Sequence, residues 1–250
     1  TEFAPALRYV DRATGNVYQT WADRISERKF TDTVVPRVYE AFFGGNGASV
    51  VMRYLRADQE TIVSFVGKLP SDTLGADTSS GKVEGVFLPD NTSDIVFSPD
   101  NNSMFYLYEI NRNAVGMTAN AYGDGKIQVL ESPYTEWLSN WVNKNTIALN
   151  TKASGLSPSY LYHLDTDAKT LNKVLGGVYG MTSLTSPDGN LVLYNNNNLE
   201  LTIYNKLTRE QRRLKVSTLP EKCVWDSQNN LYCAVPKFFE QALYPDTWYM

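Results

Sequence analysis

A turn signal recurs along this chain at a nearly constant spacing. Strand-like runs end at Phe97, Trp141 and Thr185, and each of these residues lies 44 positions from the next. Trp225 follows Thr185 after 40 positions, and Phe43 precedes Phe97 by 54. Turns rich in Gly, Asn, Asp and Pro come after these anchors, and another strand-like run follows each turn, which predicts a β-hairpin at every anchor.

A second hairpin pattern lies between successive anchors. It consists of an apolar residue, Asp or Asn, two further residues, a turn and a new strand, and it occurs at 9–18 (YVDRATGNVY), 162–171 (YHLDTDAKTL) and 203–212 (IYNKLTREQR). One period of about 44 residues therefore holds two hairpins, or four strands, which is the length and content of a β-propeller blade. The best helical run, 23–29, is too short to be stable by itself. The sequence predicts an all-β fold, a β-propeller of four-stranded blades.

The ends of the chain bear on how such a ring would close. We expect a single β-propeller domain over residues 1–250, with about five and a half blades of a six- or seven-bladed ring. Residues 6–21 resemble an outer hairpin without an inner hairpin upstream, so we expect them to pair with C-terminal strands, because closure hides sheet edges. The pair at 221–235 is one such partner and would give five blades. A strand that starts at 244–250 (YPDTWYM) and stops leaves completeness at the C-terminus open.

Charge and composition exclude several classes of protein. The 23 basic and 27 acidic residues give a net charge of −4, which argues against nucleic-acid binding, because phosphate recognition needs a basic surface. No apolar run is long enough for a membrane-spanning helix. One histidine and two cysteines exclude multi-histidine zinc sites and four-cysteine clusters. We expect no cofactor and no metal site.

The catalytic motifs of hydrolases are missing from the sequence. The string nearest to a nucleophile elbow, SGLSPS at 154–159, lacks the second glycine. His163 lies in a strand-like stretch with Asp165 two residues on, on the same side of the strand, but no nucleophile accompanies them. We therefore expect His163 to be a hydrogen-bonded structural residue and the protein not to be an enzyme.

Carboxylates cluster at two places without the spacing of a calcium loop. Asp165 and Asp167 lack the further oxygen ligands, the glycine and the glutamate of an EF-hand, and we interpret them as turn residues. Asp90, Asp94 and Asp100 form a looser acidic group, for which ion binding is the less favoured interpretation.

The stretch 206–215 (KLTREQRRLK) has five positive charges and one negative charge. On an outer hairpin these side chains would be solvated edge residues that discourage strand addition. The alternative is a surface for an anionic partner.

Aromatic residues near the predicted loops are the best indication of a ligand. Tyr134 and Trp137 bracket one loop between blades (ESPYTEW), and Tyr179 lies in another (GGVYGMT). Tyr and Trp offer an apolar face and a polar tip, so these residues could anchor a peptide or stack on sugars. The alternative is that they pack between sheets.

The two cysteines are placed symmetrically about a turn. Cys223 and Cys233 flank DSQNN, with the hairpin centre at Gln228, so they face each other across the predicted strands at a distance that a disulfide can bridge. Two buried free thiols, or a one-residue bulge that separates the pair, are the alternatives. A disulfide would fit an oxidising compartment.

Two of the blades carry a recognisable repeat. FSPDNNSMFYLY (97–108) and TSPDGNLVLY (185–194) resemble the repeats of TolB-type, WD-repeat-like bacterial β-propellers, and similar repeats form the propellers of dipeptidyl peptidase and prolyl oligopeptidase families. LPEKCVW (219–225), YCAVP (232–236) and YPDTWY (244–249) resemble uncharacterised propeller proteins of uncultured bacterial lineages. The resemblance implies the fold and a location outside the cytoplasm. It implies no catalytic residue, because those peptidases keep theirs in an α/β-hydrolase domain that this sequence lacks.

From these observations we expect a non-catalytic extracytoplasmic binding or scaffold propeller in the periplasm, on the cell surface or secreted. Its partner would be a protein, recognised in the cell envelope or on the cell surface. The alternative is an accessory or glycan-binding propeller of a hydrolase system. An enzyme that acts through the propeller itself, as some lyases do, is disfavoured by the single histidine.

Overall fold

A computed structural model describes residues 5–32, 34–35, 37–70, 81–238 and 244–245. In these ranges every regular element is a β-strand, apart from two 3₁₀ turns at Gly45–Gly47 and Pro220–Lys222. The all-β prediction is confirmed. No helix of the described part of the chain is long and apolar enough to cross a membrane.

The strands form consecutive sheets in which neighbours in sequence are neighbours in space. A three-stranded sheet comes first: β1 (Ala6–Val10), β2 (Val17–Trp21) and β3 (Arg24–Lys29). Four sheets of four strands follow. The first of them holds β4 (Val38–Gly44), β5 (Ser49–Leu55), β6 (Ile62–Lys68) and β7 (Glu84–Phe87), and the second holds β8 (Asp94–Phe97), β9 (Ser103–Ile110), β10 (Asn113–Asn120) and β11 (Ile127–Ser132). The third holds β12 (Trp137–Asn143), β13 (Thr146–Thr151), β14 (Pro158–Asp165) and β15 (Thr170–Tyr179), and the fourth holds β16 (Ser183–Thr185), β17 (Leu191–Tyr194), β18 (Glu200–Asn205) and β19 (Gln211–Ser217). A two-stranded sheet of β20 (Cys223–Trp225) and β21 (Leu231–Cys233) comes last.

The anchors of the sequence repeat occupy matching strands. Phe97, Trp141 and Thr185 lie on β8, β12 and β16, each the first strand of a different four-stranded sheet. The predicted hairpins at 94–110 and 181–194 are present as β8–β9 and β16–β17, because local turn chemistry fixes where each strand ends. The four-strand period is therefore the period of a propeller blade.

The predicted hairpin within residues 6–21 is present, and a third strand joins it. Residues 6–21 pair with one another and with β3, where Tyr18 lies opposite Lys29 and Gln19 opposite Arg28. The third strand, β3, comes from the run 23–29, and a tight turn joins it to β2. In the described part of the chain, β20 and β21 form a sheet of their own, and closure of the ring by C-terminal strands stays a prediction. Of the predicted strand at 244–250, all but 244–245 lies outside the described residues.

The chain divides into two compact units, Thr1–Glu109 with Gly116–Gln128, and Ile110–Val115 with Val129–Met250. In the first unit, Val50 and Met52 on β5 belong to one apolar cluster and Val51 between them belongs to another. Successive side chains of a strand point to opposite faces, so both faces of β5 are buried. In the second unit, Leu161 on β14 and Val192 on β17 belong to one cluster and are fully buried.

Polar side chains on the second strand of a sheet hold the start of the next sheet. In the first unit, Arg53 on β5 donates a hydrogen bond of 2.5 Å to the carbonyl of Thr92, two residues before β8. In the second unit, Asn150 on β13 donates a bond of 3.0 Å to the carbonyl of Met181, two residues before β16. In both units the buried carbonyl two residues before the next sheet thus accepts a side-chain hydrogen bond, although the donating residue is of a different type.

The Ser-Pro-Asp turns that carry the family resemblance have the same internal bonds. Ser98 donates to Asp100 at 2.5 Å, and Ser186 donates to Asp188 at 2.5 Å. The backbone N–H of Asn102 also bonds to Asp100, and that of Ser103 bonds to Ser98. The hydrogen bond from Ser98, followed by those from Asn102, holds the pKa of Asp100 below its usual value. The motif is therefore a self-contained turn.

Candidate functional site

The aromatic residues singled out in the sequence lie at the same end of the sheet β12–β15. Strand β12 begins there at Trp137, opposite Thr151 at the end of β13, while β14 begins at Pro158, opposite Tyr179 at the end of β15. A cavity of about 440 Å³ opens at this end; its lining residues are Pro133, Tyr134, Thr135, Glu136, Thr151, Lys152, Ser157, Pro158 and Tyr160. We call it the aromatic pocket.

Trp137 supports the pocket from inside the protein. Its side chain is only 4% exposed, and its indole N–H donates a bond of 2.8 Å to the carbonyl of Tyr134. The indole makes edge-to-face contacts with the rings of Tyr134 and Tyr162, at centroid distances of 5.9 and 5.7 Å. Such contacts add stabilisation beyond that of burial alone. Trp137 therefore fixes the loop that carries Tyr134.

Tyr134 is held in place but remains open to solvent. Its backbone N–H donates to the hydroxyl of Ser132 at 3.1 Å, and its carbonyl accepts the bond from Trp137. The side chain is nevertheless 57% exposed. An exposed aromatic ring on a fixed backbone loses little conformational entropy when a partner binds.

Tyr160 forms a wall of the aromatic pocket. Gly176 on the neighbouring strand leaves room for the ring, since a Cβ atom there would lie 2.1 Å from Cδ1 of Tyr160. The Nζ atom of Lys173 lies 4.5 Å from the ring centroid, within cation–π range. The backbone N–H of Tyr160 also bonds to the hydroxyl of Thr151 at 2.9 Å. The wall is therefore preformed.

The rim of the pocket carries one charge of each sign. Lys152 and Glu136 form an ion pair of 3.0 Å, and the backbone N–H of Lys152 donates to the carbonyl of Glu136 at the same distance. The side chains of Lys152 and Glu136 are 38% and 67% exposed, so the pair contributes little to folding. Its groups can bond to a ligand at the rim.

Tyr179 lies next to this pocket, because it is the cross-strand partner of Pro158. Its side chain is 47% exposed, while its carbonyl accepts a hydrogen bond of 2.8 Å from the N–H of Asn197. The structure thus places Tyr134 and Tyr179 at the same end of one sheet as exposed rings, and Trp137 against Tyr134 as a buried one. Contact of these three residues with a ligand stays a prediction.

Sequence reasoning missed Tyr160, Pro158 and the ion pair of Lys152. The alternation in PSYLYHLD is the signal that was available, because it places Tyr160 and Tyr162 on one face of β14 and His163 on the other. That the first face opens into a pocket depends on Gly176, a neighbour across the sheet.

His163 is a buried, hydrogen-bonded residue. It is 7% exposed, and its Nε2 atom lies 3.3 Å from the hydroxyl oxygen of Thr185. Burial, followed by the positive charge of Lys206, lowers the pKa of His163 to about 4. The imidazole is therefore neutral at pH 7 and fills a structural position.

The acidic residues of the second unit have local partners. Asp165 accepts hydrogen bonds from the backbone N–H groups of Asp167 and Ala168, at 3.0 and 2.8 Å. The side chain of Asp167 accepts a bond of 2.6 Å from Asn145. Turn chemistry accounts for these carboxylates, as the sequence predicts.

The looser acidic group has separate partners as well. Asp90 is bonded to Arg56 at 2.8 Å, and Asp100 belongs to the Ser-Pro-Asp turn described above. Asp94 accepts a bond of 2.9 Å from the N–H of Ile95. Among the described residues, no three His, Cys, Asp or Glu side chains form a group that could hold a metal ion.

The two other sequence motifs lie at the C-terminal end of the second unit. Cys223 and Cys233 lie opposite each other on β20 and β21 and form a disulfide, with Cα atoms 4.0 Å apart. The basic stretch 206–215 runs from the turn after β18 into β19, the outermost strand of its sheet, where most of its side chains are exposed. The disulfide prediction and the edge position of the basic residues are confirmed.

Comparison with known proteins shows the fold. No model of a known protein family matches the sequence, and no curated protein sequence matches it. Among solved structures, TolB from Acinetobacter baumannii is 12% identical with a TM-score of 0.50, and the match covers 90% of this chain and 56% of TolB. The β-propeller domain of the Trilobed protease from Pyrococcus furiosus is 12% identical with a TM-score of 0.53, covering 84% and 66%. An oligogalacturonate lyase from Vibrio parahaemolyticus is 12% identical with a TM-score of 0.55, covering 85% and 64%.

These likenesses establish that the fold is a β-propeller. The chain spans between 56% and 66% of the length of these three structures. Their names include a protease domain and a lyase, so the fold is shared by proteins of different chemistry, and function has to be argued from the site.

Proposed function

We propose that this protein is a non-catalytic, extracytoplasmic β-propeller that recognises a protein partner through the aromatic pocket. The observation that carries the proposal is the combination at one end of a sheet of a preformed cavity of about 440 Å³ with two exposed tyrosines, Tyr134 beside it and Tyr179 adjacent to its wall. Rigid, half-exposed aromatic rings of this kind are the usual anchors of protein recognition.

The polar groups of the pocket favour a polypeptide. The ion pair of Glu136 and Lys152 offers a hydrogen-bond acceptor and a hydrogen-bond donor close together. Backbone or side-chain groups of a peptide can bond to both. Pro158 and the ring of Tyr160 provide an apolar wall for one inserted side chain.

The proposed compartment rests on the disulfide Cys223–Cys233 together with the TolB-like fold. Structural disulfides persist in oxidising compartments and are rare in the cytosol. Mass analysis of protein from its native source, alkylated under denaturing and non-reducing conditions, tests this part: we expect neither cysteine to be alkylated. Two alkylated cysteines would remove the argument for an extracytoplasmic location.

The partner is tested by site-specific photo-crosslinking in the cells that make the protein. The photoreactive residue p-benzoylphenylalanine replaces Tyr134 or Tyr179, and a comparably exposed tyrosine on β21, Tyr232, serves as the matched control. We expect the same protein to be cross-linked from the first two positions and not from the third. The cross-link from position 179 should be lost when Tyr134→Ala and Tyr160→Ala are combined.

Two results would contradict the proposal. One is an identical cross-linking pattern from positions 134, 179 and 232, which would mean that contact is nonspecific. The other is saturable binding of a purified oligosaccharide that is lost in Tyr134→Ala, with no protein cross-link, which would assign the pocket to glycans.

The non-catalytic part has its own test. The neutral, buried His163 supports it, because a general base needs a pKa near the working pH and access to its substrate. Peptide, ester and glycoside substrates should not be turned over by the purified protein. Turnover that is abolished by His163→Gln in a folded protein would overturn this part of the proposal.

A further inference from the structure

A second cavity opens on the other face of the sheet β12–β15, and the aromatic pocket does not include it. Its volume is about 360 Å³, and it lies between strands β14 and β15 and the turn that joins β18 to β19. Its lining residues are Thr146, His163, Asp165, Asn172, Lys173, Val174, Tyr204, Lys206 and Arg209.

Two basic side chains on the β18–β19 turn line this cavity. Lys206 and Arg209 form no ion pair with any residue in the described part of the chain. The turn itself is fixed: the backbone N–H of Lys206 donates to the carbonyl of Asn190 at 2.8 Å, and that of Arg209 donates to the carbonyl of Asn205 at 2.7 Å. The fixed backbone places both basic residues at the cavity, and Asp165 is the one carboxylate among the lining residues.

The other charged residues of the lining leave that charge in place. The carboxylate of Asp165 is bonded to two backbone N–H groups of its own turn. The ammonium group of Lys173 lies over the ring of Tyr160, which belongs to the opposite face of the sheet. The lining thus holds three cations, Lys173, Lys206 and Arg209, against the single carboxylate of Asp165, which gives the cavity a net positive potential.

Neutral hydrogen-bonding groups complete the lining. Asn172 and His163 are cross-strand partners on β15 and β14, and the hydroxyl groups of Thr146 and Tyr204 are nearby in the same cavity. The proximity of Lys206 to His163 is visible in the pKa of that imidazole, which burial and then the charge of Lys206 lower. The site therefore combines two cations with amide, hydroxyl and imidazole groups around a small space.

We propose that this cavity binds an oxyanion of the phosphate or sulfate type, either free or as a monoester, with Lys206 and Arg209 pairing with its charge and Asn172 donating a hydrogen bond. Arg and Lys are the residues that proteins use for such groups, and charge-assisted bonds to them are the strong ones. The volume accommodates one such group with a small substituent. The proposal is independent of the aromatic pocket and of its partner.

The single histidine makes the test direct. In a proton–carbon NMR spectrum the imidazole of His163 gives one Cε1–H signal without assignment ambiguity. Sodium phosphate, sodium sulfate and sodium acetate are titrated separately at pH 6.5, with sodium chloride keeping the ionic strength constant. We expect phosphate or sulfate to shift the Cε1–H signal of His163 in a saturable way, and acetate to shift it less. If only one of the two tetrahedral anions saturates the shift, that anion is the one that the cavity prefers.

Variants of the turn give the decisive comparison. Lys206→Met and Arg209→Gln should each weaken the affinity by about fivefold or more, because each removes one charge-assisted bond. Lys215→Met is the matched control, since Lys215 is an exposed lysine farther along β19 that does not line the cavity. The affinity of this variant for the anion should differ from that of wild type by less than about twofold. Lys206→Met should also raise the pKa of His163 in the absence of any anion.

The proposal is overturned by two outcomes. In one, all three anions shift the His163 signal linearly without saturation up to the highest concentration, as general salt effects do. In the other, saturation is observed but the affinity is the same in Lys206→Met, Arg209→Gln and wild type, which places the anion elsewhere. Thermal unfolding of each variant confirms that the fold is retained.

Discussion

The buried imidazole of His163 should make the stability of this protein depend on pH in a defined range. Burial, and to a lesser degree the charge of Lys206, lowers the pKa of His163 from 6.5 to about 4 in the folded protein. A group with a lowered pKa binds fewer protons in the folded state than in the unfolded state, so unfolding gains a proton between these two pH values. The free energy of unfolding should therefore fall as the pH drops from 6.5 to 4, and this contribution should be constant above and below that range.

The size of this effect follows from the shift. One pKa unit corresponds to about 1.4 kcal/mol, so lowering the pH from 7 to 5 should cost the folded state about 2 kcal/mol, and lowering it to 4 about 3 kcal/mol. The imidazole is 93% buried, so solvent screening reduces the effect little. Carboxylates such as Asp100 also lose stabilising interactions in acid, and a variant that lacks only the imidazole is needed to separate the two contributions.

His163→Gln is that variant, because glutamine does not titrate and can still bond to the hydroxyl of Thr185. Urea denaturation followed by tryptophan fluorescence at pH 7, 6 and 5 gives the unfolding free energies of both proteins. We expect the difference between wild type and variant to shift by about 2 kcal/mol in favour of the variant between pH 7 and pH 5. NMR titration of the wild-type imidazole should have its midpoint near pH 4.

Parallel stability profiles of the two proteins would refute this reasoning. So would a His163 midpoint at the value of an unburied histidine, because that would mean that water reaches the ring. A midpoint that does not rise in Lys206→Met would contradict the specific contribution of that lysine.

Four further variants test the fold and the support of the site. Replacing Cys223 and Cys233 together by Ala should lower the unfolding free energy by at most about 2 to 3 kcal/mol, since the disulfide closes a short loop. Adding a reductant to the wild-type protein should lower the stability by the same amount, measured by thermal unfolding. Gly44→Ala should destabilise the first unit by about 1 to 3 kcal/mol, because the new Cβ would lie 2.2 Å from the ring of Phe97; an unchanged melting temperature would show that the ring moves aside without cost. Trp137→Ala should lower the free energy of unfolding by about 3 to 5 kcal/mol, because it leaves a cavity. Tyr134→Ala should lower it by less than about 1 kcal/mol, because that ring is exposed. Equal losses of unfolding free energy in urea denaturation would contradict the division into a buried support and an exposed contact residue.

Local patterns in the sequence were sufficient to predict where the strands lie, because the ends of each strand are set by interactions between residues close in the chain. Ser98 and Asp100 bond to each other and to the next backbone N–H groups, so the Ser-Pro-Asp turn forms wherever the motif occurs. The opposition of Cys223 and Cys233 follows from the same kind of local symmetry. Closure of the ring by residues 6–21 stays a prediction, because several strands are possible partners and the sequence pattern alone does not choose among them.

The sequence by itself therefore determined the all-β character, the four-strand period, and the disulfide together with the register that pairs Cys223 with Cys233. Only the tertiary structure decided that Trp137 is buried while Tyr134 and Tyr179 are exposed, although all three belong to residue types found in either position. It also brought Lys206, Arg209 and His163, from two different sheets, to one cavity. The physical reason is the range of the interactions: turns and hairpins form from neighbours in sequence, whereas exposure and electrostatic potential depend on which side chains of other sheets lie opposite, and those are distant in the chain.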